Sequence, residues 1–280
     1  MNSRRRFLRT SGAIAAGSFL LPGIVQAAKR NAAKDVGVQL YTVRKEMLED
    51  NMGTLKKLAA LGYKEIESAG SEKGNYYGLK PAEMKKACKD LGMTLRSGHV
   101  HFDGKWQQTI DDAVEAGQEY VIVSSMPTRG QTVDNYKSVA DAFNKAGEAA
   151  KKSNLSFGYH NHDFEFEKEN GKILYDVLVE NTDPQYVNLE MDLGWVIVTG
   201  NDPMAYFAKY PGRFPLWHLK DMDMQEKHSV EFGKGGLDIK KMLGAAKKSG
   251  MKYFFVEQEE YATTPFDALA YNYDYLKKMK

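Results

Sequence analysis

The chain has 280 residues, 42% of them hydrophobic and 27% charged, the composition of a globular protein with one large domain or two small ones. Its 39 basic and 37 acidic residues leave a formal charge of +2, and the first thirty residues, with six basic and no acidic ones, supply more than all of that excess. The near-neutral remainder has no basic stripe to track a phosphate backbone, which excludes nucleic acid as the expected partner.

The first element is not part of a fold. Ser3-Arg4-Arg5-Arg6-Phe7-Leu8-Arg9 is a charged opening with paired arginines, followed by small and apolar residues over 12–25 and by Gln26-Ala27-Ala28. This is the pattern of a twin-arginine export signal cleaved near Ala27 or Ala28, so residues 1–28 are expected to direct the protein to the periplasm. The apolar run is short against the ~20 residues that span a bilayer, so no stable membrane insertion is expected after cleavage. A retained anchor is the alternative.

From Val36 the chain alternates short apolar or β-branched runs with stretches of helical periodicity. Strands are expected at 37–41, 63–67, 94–100, 120–124, 155–160, 187–191, 214–219 and 253–256. Helices are expected at 52–61, 81–91, 110–116, 136–152, 173–180, 203–210, 237–249 and 265–279. Gly62, Gly92, Gly117 and Gly250 stand where helices end and a left-handed residue is wanted. Eight strand–helix units make residues 33–280 a single (β/α)₈ TIM barrel of the α/β class. A doubly wound sheet would offer a glycine-rich turn after its first strand, whereas Thr42-Val43-Arg44-Lys45-Glu46 follows here. Cys88, the one cysteine, reads as a small core residue of the 81–91 helix and leaves no intrachain disulfide or thiolate cluster.

In such a barrel the chemistry lies at the C-terminal strand ends. There the sequence carries His99-Val100-His101, Tyr159-His160-Asn161-His162-Asp163 with Glu165 close behind, Glu190-Met191-Asp192, Trp217-His218-Leu219-Lys220-Asp221, and Val256-Glu257. Five of the six histidines fall at these ends. Strands five to eight thus each bring a nitrogen or oxygen ligand to one rim. Such groups turned inward together would be costly without a cation. Imidazole and carboxylate without thiolate admit one divalent ion, Zn, Mn, Co or Fe.

Met191-Asp192-Leu193-Gly194-Trp195, Trp217-His218-Leu219-Lys220-Asp221, Gly233-Lys234-Gly235 and Phe255-Val256-Glu257 resemble, in order and spacing, the xylose-isomerase-like barrels. Gln39-Leu40-Tyr41-Thr42-Val43-Arg44 and Gly158-Tyr159-His160-Asn161-His162-Asp163 are similar to the group called sugar phosphate isomerase/epimerase. The resemblance implies a metal held by Asp192, His218 and Glu257. The fourth ligand position, on strand five, is a Glu in the family and His160 here, with His162 and Glu165 as alternatives. It implies Glu257, Glu165 and Lys220 as catalytic residues, Glu257 as general base. His99, His101, His162, Trp195, Trp217 and Lys234 would contact substrate. Trp195 stands where epimerases often carry a substrate-binding His.

The implied activity is that of a metal-dependent sugar isomerase or epimerase abstracting a proton next to a carbonyl or hydroxyl of a small, unphosphorylated carbohydrate. Epimerisation needs a proton donor on each face of a planar intermediate, and the family's strand-five Glu is missing. Elimination by a keto-sugar or glycoside lyase or dehydratase is therefore a close variant. A non-catalytic carbohydrate-binding barrel, with aromatic residues stacked on sugar faces, is the third reading. The loop Gly233-Lys234-Gly235-Gly236 is expected to be a flexible rim loop, or else an anion site at the helix that follows. Barrels of this resemblance often pair as homodimers.

Overall fold

Eight short parallel strands close into a barrel in the computed structural model, which describes residues 35–279. The expected export signal, residues 1–28, lies outside the described residues. The strands are β1 (Gly37–Gln39), β2 (Glu65–Ser68), β3 (Thr94–Val100), β4 (Tyr120–Val123), β5 (Ser156–His160), β6 (Val187–Asp192), β7 (Leu216–Leu219) and β8 (Tyr253–Val256). Each pairs with its sequence neighbours. Closure comes from β1 against β8, with Gly37 opposite Phe255 and Val38 opposite Val256. This is the expected TIM barrel.

Strand alternation sorts the side chains. Val121, Val123, Phe157, Tyr159, Leu189, Met191, Trp217, Leu219, Phe254 and Val256 belong to the apolar layers between strands and helices. Each such burial is worth about 1.5–3 kcal/mol. The residues between them fill the barrel in layers. At the N-terminal end Arg96 Nε donates to Glu65 Oε2 at 2.6 Å and a second guanidinium nitrogen pairs with Glu119. Tyr120, Ile122, Leu216 and Phe255 form the apolar middle. Gly158 belongs there because a Cβ would stand 2.6 Å from Ile122 Cδ1. Above this plug lie the polar strand ends.

Several local features differ from the sequence expectation. The fifth strand is followed by a small ribbon, Lys168–Glu169 with Lys172–Ile173, and the seventh by Asp221–Met222 with Ser229–Val230. A short helix, Leu193–Val198, starts directly at the end of β6. The helix expected over 237–249 is divided into Ile239–Gly244 and Ala246–Ser249. Gly62 takes the left-handed conformation, φ +108°, that ends its helix. No helix among the described residues is long and apolar enough to cross a membrane.

Candidate active site

The alternation that turns Trp217 outward turns its neighbours His218 and Leu216 into the barrel, and the same rule places Glu190 and Asp192 inside from β6. With His99 from β3 and His160 from β5 they form a buried polar cluster at the barrel mouth, completed by Glu67 from β2, Lys220 beyond β7, and Glu257 and Glu259 beyond β8. Four ligand atoms from His160, Asp192, His218 and Glu257 lie within 4.8 Å of one another. His160 Nε2 is 3.0 Å from His218 Nδ1 and 3.5 Å from Asp192 Oδ2. His218 Nδ1 is 2.8 Å from Glu257 Oε2. These are the four residues that the sequence reading grouped as metal ligands.

The cluster continues inward. His99, His160, Glu190 and His218 form a second group meeting the same distance condition. His99 Nε2 is hydrogen-bonded to Glu190 Oε2 at 2.7 Å, and His218 Nε2 to Glu67 Oε1 at 2.6 Å. The rings of His99 and His218 stack at 5.0 Å. Glu67 was not expected here, and Glu190 stood at an expected strand end without an assigned role; each is an acidic residue at an inward strand position, two residues from a second one. Glu259, beyond the expected end of the last strand, was missed as well.

Burial governs the ionisation of these groups. It pushes Glu67 and Glu190 up to about 7, with Glu190 adding to the effect on Glu67. It pushes His99 and His162 down to about 4, so both imidazoles are neutral at pH 7. His160 is held well below the usual range by burial and by His218. Burial would also lower His218, but Glu257 and Glu190 outweigh it and hold the imidazolium. Likewise Asp192, Glu257 and Glu259 overcome burial and keep Lys220 charged. Glu257 is drawn well below the usual carboxylate range, burial being outweighed by Lys220 and His218, whereas burial raises Glu259.

The donor set fits a divalent ion. Two imidazole nitrogens and two carboxylate oxygens converge, and Asp192 Oδ2 is buried without a hydrogen-bond partner although Lys220 Nζ is 3.0 Å away. Three carboxylates, Asp192, Glu257 and Glu259, share the single ammonium of Lys220 at 2.7–3.0 Å, and two more, Glu67 and Glu190, are buried further in around His218. Such an imbalance is costly inside a protein, and a cation held by His160, Asp192, His218 and Glu257 would relieve it. The chemistry of these donors suits Zn, Mn, Co or Fe.

A cavity of ≈ 220 Å³ opens on the cluster, lined by Tyr41, His99, Ser124, His160, His162, Glu257 and Glu259. Trp195 stands beside it, its ring 5.0 Å from Lys220 Nζ and 6.2 Å from the ring of His162. His162 Nδ1 and Trp195 Nε1 are both buried without a partner.

Four expected site residues are placed elsewhere. Trp217 is fully buried outside the barrel, stacked on Phe207 at 4.9 Å, because it alternates with His218. Glu165 is turned toward the helix layer, where it accepts from the Tyr159 hydroxyl and from His162 N at 2.9 Å; it anchors the loop that carries His162 and belongs to neither ligand group. His101 is exposed past β3 and does not line the cavity. Lys234 is on the surface, paired with Glu231 at 3.2 Å. Its loop is not open for an anion either. Asp221 accepts from Gly233 N at 2.8 Å, Gly235 N at 3.1 Å and Leu237 N at 2.9 Å, so the loop is built around a buried carboxylate.

A closed parallel barrel with a buried His and carboxylate cluster at its C-terminal mouth defines a (β/α)₈ protein with a candidate metal centre. The chain belongs to the xylose isomerase-like TIM barrel family, whose model matches residues 55–279. A crystal structure of a sugar phosphate isomerase/epimerase from Parabacteroides distasonis superposes with a TM-score of 0.77 at 30% identity, covering 87% of this chain and 98% of that one. An inosose dehydratase of Geobacillus thermodenitrificans is 24% identical over 242 residues, 71% of this chain and 80% of its own length. The match to inosose dehydratases of Clostridium tetani and Lacticaseibacillus casei is shorter, spanning 30% and 52% of their length. The IolI protein, whose crystal structure has a bound zinc atom, shares the fold with a TM-score of 0.67 at 14% identity, covering 88% of this chain and 97% of that one.

Proposed function

We propose that the protein is a divalent-metal-dependent enzyme that removes a proton next to a carbonyl of a small unphosphorylated carbohydrate and then eliminates water or an alcohol from it. The observation that carries this reading is the convergence of His160, Asp192, His218 and Glu257 beneath a small cavity at the mouth. Similarity to proteins named inosose dehydratase favours elimination, and the zinc atom of IolI supports a metal in this class of site. The cavity is lined by neutral imidazoles, hydroxyls and carboxylates with no Lys or Arg, which suits an uncharged polyol better than a phosphate ester. An export signal at residues 1–28 would bring the enzyme to free sugars or glycosides in the periplasm.

A bound divalent ion would supply Lewis-acid stabilisation of the charge that develops on the carbonyl oxygen. Glu257, with its pKa held low, serves as a ligand. We assign proton abstraction to Glu259, which lines the cavity and lies outside the ligand set. Its carboxylate takes the proton from carbon, the electron pair forms the new C=C bond, and the C–O bond of the neighbouring carbon breaks. The departing oxygen takes the same proton back from Glu259 and leaves as water or alcohol. One carboxylate completes the cycle. The unpartnered His162 Nδ1, on a residue that lines the cavity, and Trp195 Nε1 beside it would bind substrate hydroxyls. A second reading, sugar isomerisation or epimerisation, is favoured by the likeness to the Parabacteroides structure.

The test measures metal content by elemental mass spectrometry on wild type and on an Asp192→Ala/His218→Ala variant, alongside turnover of 3-keto-glycosides and cyclic polyol ketones. Near one equivalent of metal, lost in the variant, with metal-dependent appearance of an unsaturated ketone, supports elimination. Interconversion of sugars without unsaturation favours the second reading. Absence of metal in the wild type after incubation with Mn²⁺ and Zn²⁺ overturns both and leaves a binding barrel.

A further inference from the structure

His218 presents its two nitrogens to two different carboxylate groups. Nδ1 faces Glu257, Asp192 and His160, the candidate ligand set. Nε2 faces Glu67 at 2.6 Å and, further off, Glu190 at 3.6 Å. An imidazole can ligate a cation only through a nitrogen without a proton, so which nitrogen keeps the proton decides whether His218 can join the outer set.

A chain of hydrogen bonds starting at the backbone bears on that choice. Tyr41 N donates to Gln39 Oε1 at 3.1 Å, and a backbone N–H can only donate. The amide of Gln39 is therefore oriented with its NH₂ inward, where Nε2 donates to Glu67 Oε1 at 2.8 Å. Glu67 Oε1 thus accepts from one side and presents an acceptor to the other. Gln39, Glu67 and His218 are all fully buried, so no water competes for these positions.

We propose that Glu67, oriented by Gln39, is a positioning residue that fixes the proton of His218 on Nε2 and so leaves Nδ1 as the metal-binding nitrogen. The inference rests on the metal-dependent reading above. Glu67 neither lines the cavity nor belongs to the candidate ligand set; its short contact to that set is through His218 at 2.6 Å, and its contact to the cavity-lining His99 is longer, 3.4 Å. Its burial beside two strands far apart in sequence makes it the link between β1, β2 and β7 at the mouth.

Two variants separate a positioning role from a purely structural one. Glu67→Leu removes the acceptor, whereas Glu67→Gln keeps an oxygen for His218. Zn²⁺ affinity is measured by chelator competition, and the His218 Nε2 proton is followed by ¹⁵N-edited NMR with and without Zn²⁺. Glu67→Leu is expected to weaken Zn²⁺ binding by about 10–100-fold, the usual effect of losing an outer-shell partner, with fast exchange of the Nε2 proton. Glu67→Gln is expected to recover most of both. Wild-type affinity and a protected Nε2 proton in Glu67→Leu overturn the proposal. If Glu67→Leu does not fold, Gln39→Leu is read instead: faster exchange at His218 Nε2 supports the assignment, and unchanged exchange overturns it. If the wild type takes up no Zn²⁺, the metal reading itself falls. The hydrogen-bond chain is then still judged on the metal-free protein, where a protected Nε2 proton in wild type and Glu67→Gln but not in Glu67→Leu sustains it.

Discussion

Lys220 Nζ donates to Glu259 Oε1 at 2.7 Å while standing 2.9 Å from Glu257 Oε2 and 3.0 Å from Asp192 Oδ2. Two of these three carboxylates belong to the candidate ligand set, so an ammonium and a divalent cation compete for the same oxygens. Glu259 gives the lysine a counter-ion outside the set. Glu259→Gln is therefore expected to weaken metal binding on the order of tenfold, equivalent to about 1.4 kcal/mol. Adding Lys220→Met should restore it. Metal titrations of the single and double variants check this, and equal affinity in wild type and Glu259→Gln would show that Lys220 does not compete.

The metal-free protein should lose stability as pH rises from 6.5 to 8. Over that window the folded state still holds protons on Glu67, Glu165 and Glu190, all raised to about 7, and on His218. Ordinary carboxyl and imidazole groups of the unfolded chain, at 4.5 and 6.5, have already released theirs. The folded state thus binds more protons and stability falls with pH, by roughly 2–4 kcal/mol in all. Below 6.5 the depressed His99 and His162 act in the opposite sense and offset the glutamates. Melting in the presence of chelator measures the trend. Added Zn²⁺, which takes the place of the proton on His218, should raise the melting temperature more at pH 8 than at pH 6.5.

Asp221 holds the rim loop through Gly233, Gly235 and Leu237. Asp221→Ala leaves several N–H groups without an acceptor and should cost about 3 kcal/mol or more. Amide exchange reads the effect residue by residue. Gly233, Gly235 and Leu237 should lose protection in the variant, and retained protection would mean that another contact holds the loop.

The two tryptophans near the ligand set should behave differently. Trp217→Ala opens a cavity between β7 and its helix layer and is expected to cost about 3–5 kcal/mol in chemical denaturation. Trp195→Phe removes the indole N–H and trims the ring beside the cavity while keeping an aromatic face toward Lys220. It should leave stability nearly unchanged and raise KM roughly 3–10-fold, the loss of about one hydrogen bond. A destabilised Trp195→Phe with normal KM would reverse the assignment of the two side chains.

The barrel was legible because eight apolar runs, each closed by a turn or cap residue, leave few other arrangements. The four residues of the outer cluster were legible because His and carboxylate side chains recur at strand ends. What the sequence reading missed follows from period two applied too loosely. Trp217 adjoins His218 in sequence and must point the opposite way. Glu67 lies within a strand at an inward position, yet an acidic residue inside a strand is easily read as solvent-facing, and Glu190 at its strand end was outweighed by Asp192. Glu165 follows a strand in a 3₁₀ turn, Phe164–Phe166, where neither helical nor strand periodicity predicts its direction. Lys234 and its glycines resemble an anion loop until the buried carboxylate that fills them, Asp221, is seen in space.

Glu67 and its partner His218 are 151 residues apart, and Gln39 lies in the first strand and Glu257 directly after the last, which meet only when the barrel closes. No nascent fragment emerging from a ribosome contains the whole centre. The chain must be synthesised almost to its last helix before Glu257 can reach Asp192 and His218. Metal acquisition is thereby deferred to the finished molecule, and a truncated chain cannot retain a tightly bound ion through this set of ligands.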